Sequence, residues 1–146
     1  LAIAVLAPCT AAAAPTRTVS GDAVDPARTE HVVVFSMADA NARQVLRTAA
    51  EAIQAGADMV LLNTDAPSSQ ARVRALVRSA DVAAHVVADP TGQVLRGLGV
   101  SDSGAYRRDS HALVRAPGPT RDALARVAVD VSGATVADLG ADRPQR

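Results

Sequence analysis

The sequence predicts an α/β domain in which helices cover both faces of one central mixed sheet. Strand and helix signals alternate along the chain, and the strand signals are short, apolar and rich in β-branched residues. The segments between them repeat apolar residues at helical spacing. Such alternation favours parallel strands joined by right-handed crossovers. With 146 residues, the chain has the length of one ordinary domain.

The strands are predicted from continuous apolar runs, which are typical of strands buried on both faces. The first run is His31–Ser36, and similar runs at Asp58–Asn63 and His85–Ala88 predict the next two strands. A fourth strand is predicted at His111–Arg115, just before a Pro-Gly-Pro turn. We therefore expect a sheet of four to five strands.

The helices are predicted from apolar stripes and from residues that cap helix ends. The first covers residues 40–55, and the second begins after Ser68 or Ser69 with its arginines pointing outward. A short third helix contains residues 94–98, and a fourth begins at Thr120. Four strands and four helices in about a hundred residues restrict the fold to the smaller α/β architectures.

Composition limits the core and the classes of partner. Phe35 and Tyr106 are the only aromatic residues, so Ala, Val and Leu must fill the core. Fifteen basic residues, all of them Arg, balance fifteen acidic residues, which gives no drive toward nucleic acid or an anionic membrane. The chain also lacks the glycine-rich motifs of nucleotide sites. We expect no nucleic-acid binding, no cofactor and no metal.

The first fifteen residues resemble the end of a secretory signal peptide, because the apolar run Leu1–Ala7 is followed by small residues. The run is too short to span a bilayer as a helix, so no transmembrane span is expected. We expect a secreted or periplasmic protein. The only cysteine, Cys9, lies in this leader, where a lipid anchor is an alternative role.

The predicted domain organisation has four parts. Residues 1–15 form the leader-like segment, and residues 16–30 are polar and aperiodic, which indicates a linker or N-terminal arm. The folded domain is predicted over residues 31–132. A flexible tail is predicted over residues 133–146, which are polar and contain glycine.

Two segments carry a family resemblance. The segment Val87–Val100 contains Asp89-Pro-Thr-Gly92 and ends in Gly99-Val100, and Gly104-Ala105-Tyr106-Arg107 follows closely. Both are similar to segments of the peroxiredoxin and alkyl hydroperoxide reductase branch of the thioredoxin superfamily. The resemblance implies a thioredoxin-like three-layer sandwich over roughly residues 32–131.

The residues that carry thiol chemistry in that superfamily are missing from this sequence. Peroxiredoxins have a proline, a threonine and a peroxidatic cysteine after the first core strand, and thioredoxins have a C-x-x-C motif there. This chain has Ser36-Met37-Ala38-Asp39-Ala40-Asn41. Because a thiolate is the attacking species in these reactions, a serine cannot replace it. We expect a domain without thiol redox activity.

Polar residues that follow the first two strands predict a ligand site. In open α/β sheets, ligands gather beyond the carboxyl ends of the strands. The family resemblance adds Arg107, whose guanidinium group could hold an anion. The candidate site residues are Ser36, Met37, Asp39, Asn41, Thr64, Asp65 and Arg107. They predict a binding site for a small polar or anionic ligand, or for a protein partner, without catalysis.

Two other functions remain open from the sequence. The first is a non-thiol hydrolase built on Ser36, Asp39 and a histidine, although no G-x-S-x-G motif is present. The second is a detached C-terminal thioredoxin-like domain of a flavin-dependent aromatic hydroxylase. The segment Ala112–Gly118 resembles the Leu-Val-Arg-Pro-x-Gly strand and turn of those domains.

Overall fold

The computed structural model describes the backbone of residues 16–141 and the side chains of residues 16–133. The strands are β1 (Thr16–Arg17), β2 (Ala23–Val24), β3 (His31–Phe35), β4 (Met59–Asn63), β5 (Val86–Ala88), β6 (Gly104–Asp109) and β7 (Ala112–Arg115). The last five form one mixed sheet in the order β5-β4-β3-β6-β7. This confirms the predicted α/β class with a central mixed sheet. The predicted leader, including Cys9, lies outside the described residues.

The parallel half of the sheet follows the predicted strands. β3 pairs in parallel with β4, and β4 pairs in parallel with β5. Alternate residues of β3 enter two different cores, since Val33 and Phe35 belong to one cluster and Val32 and Val34 to the other. Because a strand buried on both faces needs apolar side chains at every position, its sequence is a continuous apolar run and does not alternate with polar residues.

The antiparallel half of the sheet differs from the prediction. β6 pairs antiparallel with β3 and with β7, whereas the sequence predicted no strand between residues 98 and 111. The signal for β6 is weak because its second half, residues 107–109, is charged and Arg107 and Asp109 are exposed. His111 was predicted to open the last strand but lies in the turn before β7, beside Ser110 with a φ of 59°.

The helices are α1 (Ala42–Gln54), α2 (Gln70–Ser79), α3 (Gln93–Gly97) and α4 (Thr120–Ala141). Apolar residues of α1, α2 and α4 share one core with one face of the sheet. Residues of α3 pack against the other core, so helices cover both faces as predicted. Short 3-10 turns precede α2 and β5, at Pro67–Ser69 and Ala83–His85.

Residues 16–30, predicted as a linker or arm, contain the antiparallel β1–β2 hairpin. The amide of Val19 donates to the carbonyl of Val86 at 2.8 Å, which covers the outer edge of β5. At the other terminus, α4 continues through Gly133 to Ala141, beyond the predicted boundary at residue 132. Each glycine inside a helix costs only about 1 kcal/mol, and α4 continues past both Gly133 and Gly140.

The four-part division of the chain stays a prediction. Residues 142–146 of the predicted tail lie outside the described residues. Within the part of the chain that the structure describes, no helix is long and apolar enough to cross a membrane.

Candidate functional site

The parallel pairing of β3 and β4 brings the first two candidate segments together. Phe35 and Asn63 are partners in the register, so the loops that follow them leave the sheet side by side. The amide of Thr64 donates to the carbonyl of Phe35 at 3.2 Å and ties the two exits together. Ser36 and Asp65 therefore meet at the carboxyl edge of the sheet, as the sequence predicted.

The carboxylate of Asp65 is the centre of this site. The Ser36 hydroxyl donates to Oδ1 at 2.8 Å, and the Met37 amide donates to Oδ2 at 2.9 Å. The side-chain amide of Asn63 also donates to Oδ2, at 2.8 Å. All three donors are uncharged, so the negative charge is held by hydrogen bonds and not by an ion pair.

Asn63 and Gln70 hold the Asp65 segment in place through a network of hydrogen bonds. Asn63 is fully buried, and its Oδ1 accepts from the Asp65 amide and from Gln70 Nε2, both at 3.1 Å. Gln70 Nε2 also donates to the Asp65 carbonyl at 2.8 Å. Sequence reasoning missed Gln70. Its signal was a polar residue at helical spacing from Val73 and Val77 on the buried face of α2.

These contacts set the ionisation of Asp65. Burial alone would raise the pKa of this carboxyl group. The hydrogen bonds from the Met37 amide, the Asn63 side chain and the Ser36 hydroxyl act in the opposite direction, and the net effect lowers the pKa below its ordinary value. Asp65 is therefore a carboxylate at neutral pH, and Ser36 is oriented as a hydrogen-bond donor.

The loop after β3 is closed by its own hydrogen bonds. Asp39 Oδ2 accepts from the Ser36 amide at 2.9 Å, and the Asp39 amide donates to the Ser36 carbonyl at 3.0 Å. The Ala38 amide donates to the Ser36 hydroxyl oxygen at 3.1 Å. Asn41 is exposed and precedes α1 without capping it through its side chain, so the first amides of α1 receive no side-chain cap.

Arg107 does not belong to this site, which corrects the sequence prediction. It is paired with His31 in the β3–β6 register, at the amino end of β3. The five residues of β3 span about 13 Å at the usual rise per residue, so Arg107 is far from Ser36. Its guanidinium lies 3.4 Å from Glu30 Oε2. The error has a physical cause: β6 is antiparallel to β3, so its residues run away from the carboxyl edge.

Two other arginines occupy the position expected for Arg107. Arg43 of α1 and Arg72 of α2 line an open cavity of about 430 Å³ beside the Asp65 carboxylate. Met37 also lines this cavity. The sequence contained a signal for both arginines, since each lies in the first turn of a helix that follows one of the two loops. The candidate site thus combines one fixed carboxylate, two guanidinium groups and an apolar side chain.

The three histidines all lie far from Ser36. His31 begins β3, and His85 lies just before β5, where its Nδ1 is 3.3 Å from the Met59 carbonyl. His111 lies in the β6–β7 turn at the same end of the sheet. Ser36 therefore has no imidazole base, and the predicted hydrolase triad does not form. Among residues 16–133, no cluster of metal-ligating side chains occurs either.

The layers, the strand order and the loop positions define the thioredoxin-like fold. The structure is similar to a secreted disulfide oxidoreductase of Mycobacterium tuberculosis homologous to E. coli DsbE, with a TM-score of 0.56 and 11% identity over 80% of this chain and 95% of that chain. It is also similar to StoA from Bacillus subtilis, with a TM-score of 0.55 and 10% identity over 78% of this chain and 94% of that chain.

A third similar structure is a thiol:disulfide interchange protein DsbE from Chlorobium tepidum, described as putative, with a TM-score of 0.53 and 18% identity. It is matched over 82% of this chain and 93% of its own length. At these identities the similarity establishes the fold alone. No protein-family model and no curated protein matches the chain.

Proposed function

We propose that this chain is an exported thioredoxin-like domain that binds a ligand or a protein partner and does not exchange thiols. The observation that carries the proposal is the hydrogen bond from Ser36 to Asp65. It lies in the loop after the first core strand, where the sequence resemblance places the reactive cysteine of redox-active members. In this chain Ser36 occupies that position, and its hydrogen bond to Asp65 joins the loops that follow β3 and β4.

The chemistry of the loop supports a binding role. Residues 16–141 contain no cysteine, and a serine hydroxyl cannot form the mixed disulfide through which thiol exchange proceeds. The Asp65 carboxylate accepts three hydrogen bonds that lower its pKa, which makes it a weaker base toward the Ser36 hydroxyl. The same loop instead presents Met37, Arg43 and Arg72 around an open cavity, which suits recognition of an anionic group.

Export and the branch of the superfamily are finer parts of the proposal. The leader-like residues 1–15 support export, and one similar structure is described as secreted. The peroxiredoxin-like resemblance rests on two segments, which form β5 to α3 and the start of β6. Of the two alternatives, the hydrolase lacks a histidine base, and no contact among the described residues favours a hydroxylase domain.

The proposal is tested by assaying the full chain and its Cys9→Ser variant for insulin-disulfide reduction and for peroxide consumption. Both proteins should show only the background rate, with an active thioredoxin as the positive control. Turnover that persists in Cys9→Ser would overturn the proposal, because it would require redox chemistry without a thiol. Export is tested separately with residues 1–30 fused to a phosphatase that is active only outside the cytoplasm.

A further inference from the structure

A groove runs between α1 and α2 on the helical face of the sheet. It consists of the 430 Å³ cavity beside Asp65 and an adjoining cavity of about 340 Å³, and Arg43 and Leu76 line both. The side chains that a ligand can contact are Arg43, Arg47, Arg72 and Leu76, whereas Leu46 and Val73 lie beneath the groove and are fully buried in the core. We call this surface the α1–α2 groove. Three cationic side chains therefore lie around one partly exposed apolar side chain, Leu76.

The arginines of α1 and α2, which include those of this groove, differ from the other arginines that the structure describes. Those outside α1 and α2 donate a hydrogen bond or form an ion pair: Arg17, Arg28, Arg96, Arg107, Arg108, Arg115, Arg121 and Arg126. On α1 and α2, no arginine does so with a residue in the described part of the chain. Unpaired guanidinium groups along a concave surface are free to bind carboxylates in a bidentate manner.

Asp65 is the only acidic residue among those that line the two cavities, although Asp39 lies beside Arg43 and Glu51 follows Arg47 by one turn on α1. α2 contains no Asp or Glu, and Asp65 at one end of the groove already accepts three hydrogen bonds. The amino terminus of α1, which no side chain caps, adds a partial positive charge at that end. Three arginines and one carboxylate therefore line the groove, so its local charge is positive although the whole chain has a net charge of zero.

We propose that the α1–α2 groove binds an extended acidic peptide segment of a protein partner. This deepens the proposed function, on which it rests, by naming the surface and the class of partner. From Ser69 to Ala80, the two residues that flank α2, the groove has a length of about 16 Å at a rise of roughly 1.5 Å per residue. At roughly 3.3 Å per residue, this length holds about five extended residues.

The lining favours a peptide over other polyanions. Arg43 and Arg47 are four positions apart on one face of α1, so successive carboxylates of a peptide can reach them. Leu76, which lines both cavities, offers an apolar contact between these charges. Single-stranded nucleic acid is commonly bound through aromatic stacking, and the groove has no aromatic side chain in its lining.

The test measures binding of a fluorescein-labelled peptide of alternating Glu and Leu to the full chain by fluorescence anisotropy. A Lys-Leu peptide of the same length is the control probe. Binding of the acidic peptide should weaken about tenfold in Arg43→Ala and in Arg72→Ala, since each loses a charge-assisted hydrogen bond. Arg72→Lys, which keeps the charge but loses the planar fork, should weaken it less.

Arg74→Ala and Arg78→Ala are the matched controls, because these arginines are also unpaired residues of α2 but do not line the groove. They should change the affinity less than twofold, and melting temperatures should show that every variant is folded. Equal losses in the control variants, no binding of the acidic peptide, or tighter binding of single-stranded oligonucleotides or anionic vesicles would overturn the inference. These outcomes leave the absence of thiol turnover intact, so the two proposals fail separately.

Discussion

The two ends of β3 hold their charged groups in opposite ways. At the carboxyl end, the Asp65 carboxylate is bound by the neutral donors Ser36, Met37 and Asn63. At the amino end, Glu30 lies 3.4 Å from Arg107 and 3.7 Å from His31 Nε2. Charges pair with each other at one end, whereas amides and a hydroxyl group satisfy the charge at the other.

This difference leaves different groups without partners at the two ends. Because neutral donors satisfy Asp65, the nearby guanidinium groups keep their full capacity to bind an anion. At the amino end, Arg107 faces Glu30, and Arg108 donates to the carbonyls of Pro26 and Thr29, which attaches the N-terminal arm to the sheet. The amino end therefore uses its charged groups within the fold, although Glu30, His31 and Arg107 also line a cavity of about 490 Å³ there, whereas Arg43 and Arg72 beside the carboxyl end have no side-chain partner among the described residues.

The largest predicted effect on stability comes from removing an uncharged hydrogen-bonding side chain, Asn63, at the carboxyl end of β3. Asn63→Ala deletes one donor and one acceptor in a fully buried position and leaves Gln70 without one of its acceptors. We expect a loss of about 3 kcal/mol in the free energy of unfolding, measured by urea denaturation. Arg108→Ala, the corresponding change at the amino end, should cost about 1 kcal/mol because its contacts are partly exposed.

A larger loss of stability in Arg108→Ala than in Asn63→Ala would contradict the contrast between the two ends of β3. If Arg108→Ala were the more damaging variant, the amino-end contacts would dominate the stability of the fold. Thr64→Ala serves as a control beside Asn63, because the backbone amide of Thr64 makes the contact that joins the loops. This variant should change the unfolding free energy by less than about 1 kcal/mol.

The next effect concerns the charge of Asp65. In Asp65→Asn, one amide oxygen remains to accept from Ser36, but the new NH₂ group faces the donors Met37 and Asn63. We expect a cost of about 1–2 kcal/mol at neutral pH. Native-state stability should also become less sensitive to acid, because the lowered pKa of Asp65 stabilises the fold only while the group is ionised.

The sign of this acid effect follows from proton binding. The unfolded chain takes up a proton at Asp65 near the ordinary pKa of 3.8, and the folded chain takes it up at a lower pH. Stability is therefore fully present above the ordinary pKa and is lost as the pH falls through the folded pKa. Urea denaturation between pH 6 and about pH 3 checks this. An acid dependence that is unchanged in Asp65→Asn would assign the effect to other carboxyl groups.

The sequence predicted the parallel half of the sheet better than the antiparallel half. Buried strands such as β3 and β4 are recognisable because both faces are apolar and the run is uninterrupted. β6 was missed because its last residues are charged, and its first residue is a glycine. Strand signals of that kind depend on tertiary contacts, which a local pattern does not contain.

The same difference between parallel and antiparallel strands separates the site residues that lie together as predicted from the one that was misplaced. Ser36 and Asp65 were predicted together because parallel strands bring the loops after them to one edge. Arg107 was misplaced because its strand direction was unknown. Arg43 and Arg72 were overlooked because helical periodicity distinguishes a buried face from an exposed one, but does not show that two exposed faces line one cavity.

The smallest predicted effect concerns the amino end. Burial lowers the pKa of His31, and Arg107 acts in the same direction, against the opposing influence of Glu30 and Asp58. The unfolded chain therefore binds a proton near the ordinary pKa of 6.5, while the folded chain resists it. Stability should fall as the pH drops through 6.5, and His31→Asn should reduce this dependence.

Urea denaturation at pH 5 and pH 8 measures this difference in wild type and in His31→Asn. His111→Asn is the matched control, since His111 is exposed in the β6–β7 turn, and it should leave the difference between the two pH values in place. If His31→Asn retained the full dependence, the amino end would not act as the acid-sensitive part of the fold near neutral pH. Asp65 responds only below its ordinary pKa of 3.8, so the two ends of β3 would lose stability in separate pH windows.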